Sequence, residues 1–182
     1  LNQGLAIAEF EYLAQHPRWQ SWIIGGTQDN GTLRHRRDGT WDRVASGDGG
    51  DCAVNTSSPK TCYHSYNGMA IARSRSSGSY WRDITPPVPD YYQVLFYPPL
   101  EATGPPVACA GERVLVSDDE GTTWNEVPLR DGGLATAMTF ASDARILVGR
   151  QDGRIFSIDR ADDGTWDEAR WIGRPRHAYL SD

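Results

Sequence analysis

Residues Ser117 to Pro128 read SDDEGTTWNEVP, and the fold turns on how that stretch is taken. Three acids followed by a glycine could form a metal loop, or a tight turn that delivers a tryptophan into a core. A calcium loop of the helix–loop–helix kind needs oxygen ligands at alternate positions, glycine at the sixth and glutamate at the twelfth. Counting back from Gly121 puts Val116 first, where an oxygen is required, so the register fails. As a turn the stretch is coherent. Asp and Gly supply side-chain caps and positive φ, and Trp124 then opens a strand with a large ring to bury.

A hairpin cannot bury its own face, so such an element should recur. It does. Trp41, Trp81, Trp124 and Trp166 are separated by 40, 43 and 42 residues, each behind a turn: RRDGTW, RSSGSYW, DDEGTTW and DDGTW. A period near 42 with glycine and an aromatic residue in each unit is the signature of a four-stranded propeller blade.

The bulk composition agrees. Of 182 residues 38% are apolar, 19 are glycine and 11 are proline, which suits short strands and many turns. The net charge of −6 disfavours a nucleic-acid surface. No apolar run approaches the length of a membrane span. The chain begins at Leu1 without a signal sequence, which reads as a processed product or part of a longer chain. Aromatic-rich composition with a single lysine, Lys60, leans toward a secreted or periplasmic protein.

Short runs of Val, Ile, Tyr and Phe bounded by Gly, Asp and Pro place the strands. The first unit has an inner strand near 6–14, then 21–27, 32–37 and the strand led by Trp41. The second runs CAVN, CYHSY, MAIARS and YWRDI; the third YYQVLFY, PVACA, RVLVS and TWNEV; the fourth ATAMTFA, RILVG, RIFSI and TWDEARWI. The blades therefore cover about 5–46, 47–86, 90–129 and 133–173, with 174–182 starting another. LNQGL and RPRHAYLSD look like interrupted blades, so the remaining blades are expected from the same or a partner chain. The expected fold is all-β, with four blades of a larger, six- to eight-bladed propeller; a closed four-bladed ring is the alternative.

The motif Ser117-x-Asp119-x-Gly121-x-Thr123-Trp124 resembles the Asp-box, or bacterial neuraminidase (BNR) repeat, position for position. The copy from Ser74 to Trp81 keeps Ser, Gly and Trp but has Ser76 and Tyr80 in place of Asp and Thr. The copies ending at Trp41 and Trp166 are one residue shorter. The chain is thus similar to the Asp-box propellers: sialidases, xyloglucanases, sortilin-like receptors, photosystem assembly factors and secreted bacterial glycosyl-hydrolase-like proteins. The resemblance implies a structural turn between a blade's third and fourth strands, on the face away from the active site. Asp119 would cap that turn, and the tryptophans would pack between blades.

Ligands would then meet loops of the opposite face. One set holds Gln28-Asp29-Asn30-Gly31, Ser65-Tyr66-Asn67-Gly68, Ala110-Gly111-Glu112 and Arg150-Gln151-Asp152-Gly153. The other holds Gly47-Asp48-Gly49-Gly50-Asp51, Pro86 to Tyr91, Arg130-Asp131-Gly132-Gly133 and Gly173 to His177. Gln28-Asp29 echoes Gln151-Asp152, and Asp48-Gly49-Gly50 echoes Asp131-Gly132-Gly133. Such residues are turn formers first. They also make an acid-rich mouth suited to sugar hydroxyls or a cation, and the expected ligand is a carbohydrate or a protein. The expected binding residues are Gln28, Asp29, Asn30, Asp48, Asp51, Tyr66, Asn67, Gln151 and Asp152.

Two function classes follow: a noncatalytic binding module, which the sequence favours, and a glycoside hydrolase. A glycosidase needs two carboxylates roughly 5 to 9.5 Å apart, with Asp29, Asp48 and Asp51 as candidates. The arginine triad and Arg-Ile-Pro signature of sialidases are missing, and Arg174-Pro175-Arg176 does not replace them. His16, His35, His64 and His177 lack zinc spacing, so no metal site or cofactor is expected beyond a structural cation at the acidic loops. No nucleophile elbow or phosphate loop occurs. Cys109 reads as core. Cys52 and Cys62 lie in adjacent strand candidates around NTSSPK, where a cross-hairpin disulfide is expected, with two buried thiols as the alternative.

Overall fold

The structure is a computed structural model and describes residues 8–90 and 92–174. It is all-β: four separate antiparallel sheets, each of four strands in chain order. The first blade is β1 (Tyr12–Gln15), β2 (Ile23–Thr27), β3 (Gly31–His35) and β4 (Trp41–Ala45); the second is β5 (Cys52–Val54), β6 (Cys62–Ser65), β7 (Ile71–Ser74) and β8 (Arg82–Asp83). The third is β9 (Leu100–Ala102), β10 (Val107–Ala110), β11 (Arg113–Ser117) and β12 (Asn125–Pro128); the fourth is β13 (Ala135–Ser142), β14 (Arg145–Arg150), β15 (Ile155–Asp159) and β16 (Arg170–Gly173). The innermost strands β1, β5, β9 and β13 stand side by side in that order. This is the blade arrangement of a β-propeller.

Three hydrophobic cores fill the three junctions. Trp22, Ile24, Ala14 and Val44 of the first blade meet Cys52, Val54, Cys62 and Trp81 of the second. Tyr63, Ile71 and Ile84 meet Leu100, Val107, Cys109 and Leu115. Ala108, Val114, Val116 and Val127 meet Met138, Ile146, Val148, Phe156 and Ile158. Each sheet has apolar residues on alternate positions of its strands, so a face is buried only where a second blade covers it.

The turn between the third and fourth strands recurs as one object. Gly39, Gly78, Gly121 and Gly164 have φ of 85°, 83°, 86° and 87°, a conformation that favours glycine. In the third blade Ser117 Oγ accepts the Gly121 N–H at 2.7 Å, and Asp119 Oδ1 accepts the amides of Thr122 and Thr123 at 3.0 and 2.8 Å. In the second, Ser74 Oγ accepts the Gly78 N–H at 2.9 Å and Ser76 Oγ accepts the Tyr80 N–H at 3.0 Å, so a hydroxyl takes the carboxylate's place. In the shorter copies Asp38 and Asp163 accept the amides of Thr40 and Thr165, both at 3.0 Å.

The tryptophans behind those turns divide. Trp81 and Trp124 donate their indole N–H to the preceding blade, to Val44 O at 3.0 Å and Ile84 O at 3.1 Å. Trp166 donates to Asp118 Oδ2 of the third blade at 3.1 Å. Trp41 packs at a tilt against Phe10 and His35 of its own blade and is 48% exposed, since no described blade precedes it.

Three sequence expectations are corrected. YYQVLFY is not the inner strand of the third blade; that strand is Leu100–Ala102, paired with β10. Residues 84–90 and 92–99 belong to a crossover in which Pro86, Pro87, Pro89, Pro98 and Pro99 remove amide donors from any ladder, and Tyr92 and Val94 pack on the core beneath. TWDEARWI is a strand only over Arg170–Gly173, with Trp166 held by an isolated bridge to Arg160. Cys52 and Cys62 are free, buried thiols. The register sets Cys52 opposite His64 and Cys62 opposite Val54. They are therefore diagonal neighbours, a relation that spaces Cα atoms by about 7–8 Å, beyond usual disulfide reach. LNQGL, Tyr91 and nearly all of RPRHAYLSD, His177 included, lie outside the described residues.

Two measurements check this picture. Asp119→Ala should lower the unfolding free energy by about 1–2 kcal/mol in urea titrations, and Asp119→Ser should recover part of the loss, because Ser76 already does this work one blade earlier. Thiol titration in denaturant without reductant should count three free thiols and only background in native protein, since burial pushes the Cys62 thiol up to about 12 and raises those of Cys52 and Cys109 as well.

Candidate functional site

Strand alternation sends the β2–β3, β4–β5, β6–β7 and β8–β9 connections to one face, opposite the repeated turns. At the junction of the first two blades they meet without space between them. The Gly49 N–H donates to Thr27 O at 3.0 Å and the Gly50 N–H to Ser65 O at 2.9 Å. A Cβ on Gly50 would lie 2.4 Å from Ser65 Oγ and 2.9 Å from the Tyr97 ring, and one on Gly47 would lie 2.4 Å from the Tyr66 ring. Asp48-Gly49-Gly50 is therefore glycine-rich because backbone must pass between two blades and two tyrosines.

That passage brings Asp48 against the neighbouring turn, where its Oδ1 accepts the Asp29 N–H at 3.2 Å. Asp29 sits at φ 64° in that turn and is exposed. Asn30 folds back to Gln28 O at 3.2 Å. The Tyr66 turn is tied to the crossover by the Gly68 N–H to Phe96 O at 2.8 Å, and the Phe96 and Tyr97 rings pack edge to face at 4.7 Å. Gln28, Asp29, Asn30, Asp48, Tyr66 and Asn67 thus share one mouth, joined there by Phe96 and Tyr97, which sequence reasoning had placed in a strand. The Tyr97 hydroxyl is buried and has no hydrogen-bond partner among the described residues.

Asp51 stands deeper. Its Oδ1 accepts the Cys52 N–H and its Oδ2 the Leu100 N–H, both at 2.8 Å, so it clamps β5 to β9. Burial pushes its carboxyl up to about 6, against the pull of those two amides. Glu101, the next residue on β9, is pushed up to about 7, first by burial and then by the Asp51 charge. Tyr12 on β1 is raised by burial and by Asp51 and Glu11, and its hydroxyl reaches Tyr97 O at 3.5 Å. Glu101 escaped the sequence reading. Its one signal is a lone acid between Leu100 and Ala102, where an inner strand usually places apolar residues.

The fourth blade differs. Gln151 and Asp152 occupy the turn equivalent to Gln28 and Asp29, but Asp152 is paired with Arg150 at 3.0 Å and Arg154 at 3.4 Å, and Asp131 with Arg154 at 2.8 Å. Glu11, Asp29, Asp48, Asp51 and Glu101 have no cationic partner among the described residues. These five acids belong to the first three blades. Among the described residues no group of three or more His, Cys, Asp or Glu side chains is arranged to hold a metal ion, and no helix is long and apolar enough to cross a membrane.

Comparison with solved structures places this geometry among β-propellers. The chain superimposes on an ancestral GH74 enzyme with a TM-score of 0.69 at 13% identity, over 91% of this chain and 27% of that one. It matches the WD40 repeats of RRP9 with 0.67 at 10% identity, over 90% and 51%. An auxiliary nutrient binding protein from Bacteroides thetaiotaomicron matches with 0.65 at 11% identity, over 92% and 43%. The chain therefore spans about a quarter to a half of these propellers. No family model matches the sequence, and no curated protein matches it. At such identities the likeness is one of fold.

Glu101→Gln tests the electrostatics. A carboxyl raised from 4.5 to about 7 in the folded state contributes stability that is present below pH 4.5 and is lost as pH rises through 7. The variant has no such loss. Its stability relative to the unsubstituted protein should therefore climb between pH 4.5 and 7 and level off above, in urea titrations across that range.

Proposed function

We propose that this chain is a glycan-binding part of a larger Asp-box propeller, and that the ligand lies across the mouth formed by the first two blades and the crossover that precedes β9. The observation that carries this reading is the pairing of exposed aromatic rings, Tyr66 and Phe96, with the unneutralised carboxylates of Asp29 and Asp48. Aromatic faces take the C–H surface of a sugar, while carboxylates and the amides of Gln28, Asn30 and Asn67 take its hydroxyls. An acidic rim whose carboxylates have no cationic partner among the described residues disfavours anionic ligands by repulsion, so neutral sugars fit best. A protein ligand would use the same rim through basic side chains. Trp41, whose counterparts Trp81 and Trp124 bond to a preceding blade, supports the larger ring. An exported protein would suit such a ligand.

Glycoside hydrolysis is the second reading, favoured by Glu101. A carboxyl that keeps its proton near neutrality beside a second carboxyl is the electrostatic pattern of a glycosidase acid and its partner. A glycan array on the full chain, with product analysis on each hit, separates the two. Binding predicts retained neutral oligosaccharide without turnover, weakened about tenfold or more by Asp48→Asn or Tyr66→Ala. Sugar release that disappears in Glu101→Gln replaces binding with hydrolysis, and no retained glycan rejects both.

A further inference from the structure

The opposite face carries a second, differently charged cleft. It has a volume of about 370 Å³ and is lined by His16, Arg18 and Trp19 from the β1–β2 turn and by Ser57, Ser58, Pro59 and Lys60 from the β5–β6 turn. Three observations show that it is built. His16 is buried, and its Nδ1 accepts the amides of both Arg18 and Trp19 at 3.1 Å, which fixes the turn and leaves the ring proton on Nε2. The Trp19 ring stacks on His16 at 4.4 Å, nearly parallel, and Arg37 from the β3–β4 turn lies over it at 4.7 Å. Asn55 Oδ1 accepts the amides of Ser57 and Ser58 at 3.0 and 2.7 Å, and their hydroxyls make no hydrogen bond among the described residues.

Charge decides what such a cleft takes. Arg34, Arg36, Arg73, Arg75, Arg130 and Arg145 all meet carboxylates. Arg18, Arg37 and Lys60 have no carboxylate partner among the described residues, although the chain is acidic overall. Three turns from two blades thus bring together three cations without a carboxylate partner among the described residues, beside two hydroxyl donors and an imidazole N–H.

We propose that this cleft binds an oxyanion ester, a sulfate or phosphate group on a small carrier such as a sugar. Arg18 and Lys60 supply the charge, Ser57 and Ser58 donate to the oxygens, and the His16–Trp19–Arg37 stack holds the wall in place. The volume exceeds what a bare tetrahedral ion fills, which leaves room for part of the carrier. This site stands independently of the glycan mouth, on the other face and with the opposite charge.

The test is an amide and indole NMR titration of the full chain at fixed low ionic strength with glucose 6-sulfate, glucose 6-phosphate and glucose. The expected result is saturable shifts at the Trp19 indole and the Ser57 and Ser58 amides with one or both esters and none with glucose. Lys60→Ala or Arg18→Ala should weaken binding about tenfold, with the Tyr66 and Asp48 resonances unmoved as proof of folding. The tighter ester identifies the source of the oxyanion. Equal shifts with glucose, no saturable shift with either ester, or undiminished binding in the Lys60→Ala, Arg18→Ala double variant would overturn the proposal.

Discussion

The grip of one blade on the turn of the next organises this molecule. Arg34 and Arg73 sit at equivalent places on β3 and β7, both almost fully buried, and each donates to a backbone carbonyl in the following blade's repeated turn: Arg34 to Ser77 O and Arg73 to Glu120 O. Those acceptors belong to residues at φ 54° and 58°, just ahead of the turn glycines. From the turn's far side Trp81 and Trp124 reach back to the blade the arginine came from. Each junction is thus tied in both directions. Asp42 neutralises Arg34 at 2.7 Å and Glu120 lies 3.8 Å from Arg73, without which burying the guanidinium would cost more than its hydrogen bonds return. At the third junction the tie is ionic, with Asp118 taking both Trp166 and Arg160.

That grip is why the fold was readable from the sequence and the site only in part. The turn must present a glycine at positive φ, a side-chain cap and a tryptophan at fixed offsets, so it leaves a mark that repeats with each blade. The arginines leave none. A lone Arg in a strand acquires meaning only when the next blade's carbonyl stands opposite it. The same holds for Glu101, which neighbours Asp51 through the clamp from β5 to β9 and not through chain order. Asp29 and Asp48 were legible because they sit in turn-forming strings whose loops must share a face. Phe96 and Tyr97 were misread because β-rich composition outweighed the prolines around them. The cysteines failed on register: a hairpin's closing turn fixes which residues oppose, and here it offsets the pair by two places.

The mouth and the cleft end up with opposite charge for a related reason. Ion pairs form where strands run side by side or where one blade's arginine meets the next blade's turn, and these pairs consume most of the arginines. Among the groups left without an ion pair are those in the turns flanking the junction of the first two blades. Above, Asp29, Asp48 and Asp51 come from turns whose φ and capping demand Asp and Gly, and no arginine lies within reach. Below, Arg18, Arg37 and Lys60 extend from turns whose backbone is already satisfied by His16, Thr40 and Asn55. Carboxylates also cap the repeated turns on the cation-bearing side, at Asp38, Asp119 and Asp163, so the contrast is between two local sites, the acidic mouth and the cleft of Arg18 and Lys60. Fields from the two sets reach about a Debye length into solvent at physiological salt, so the mouth and the cleft each present their own local charge.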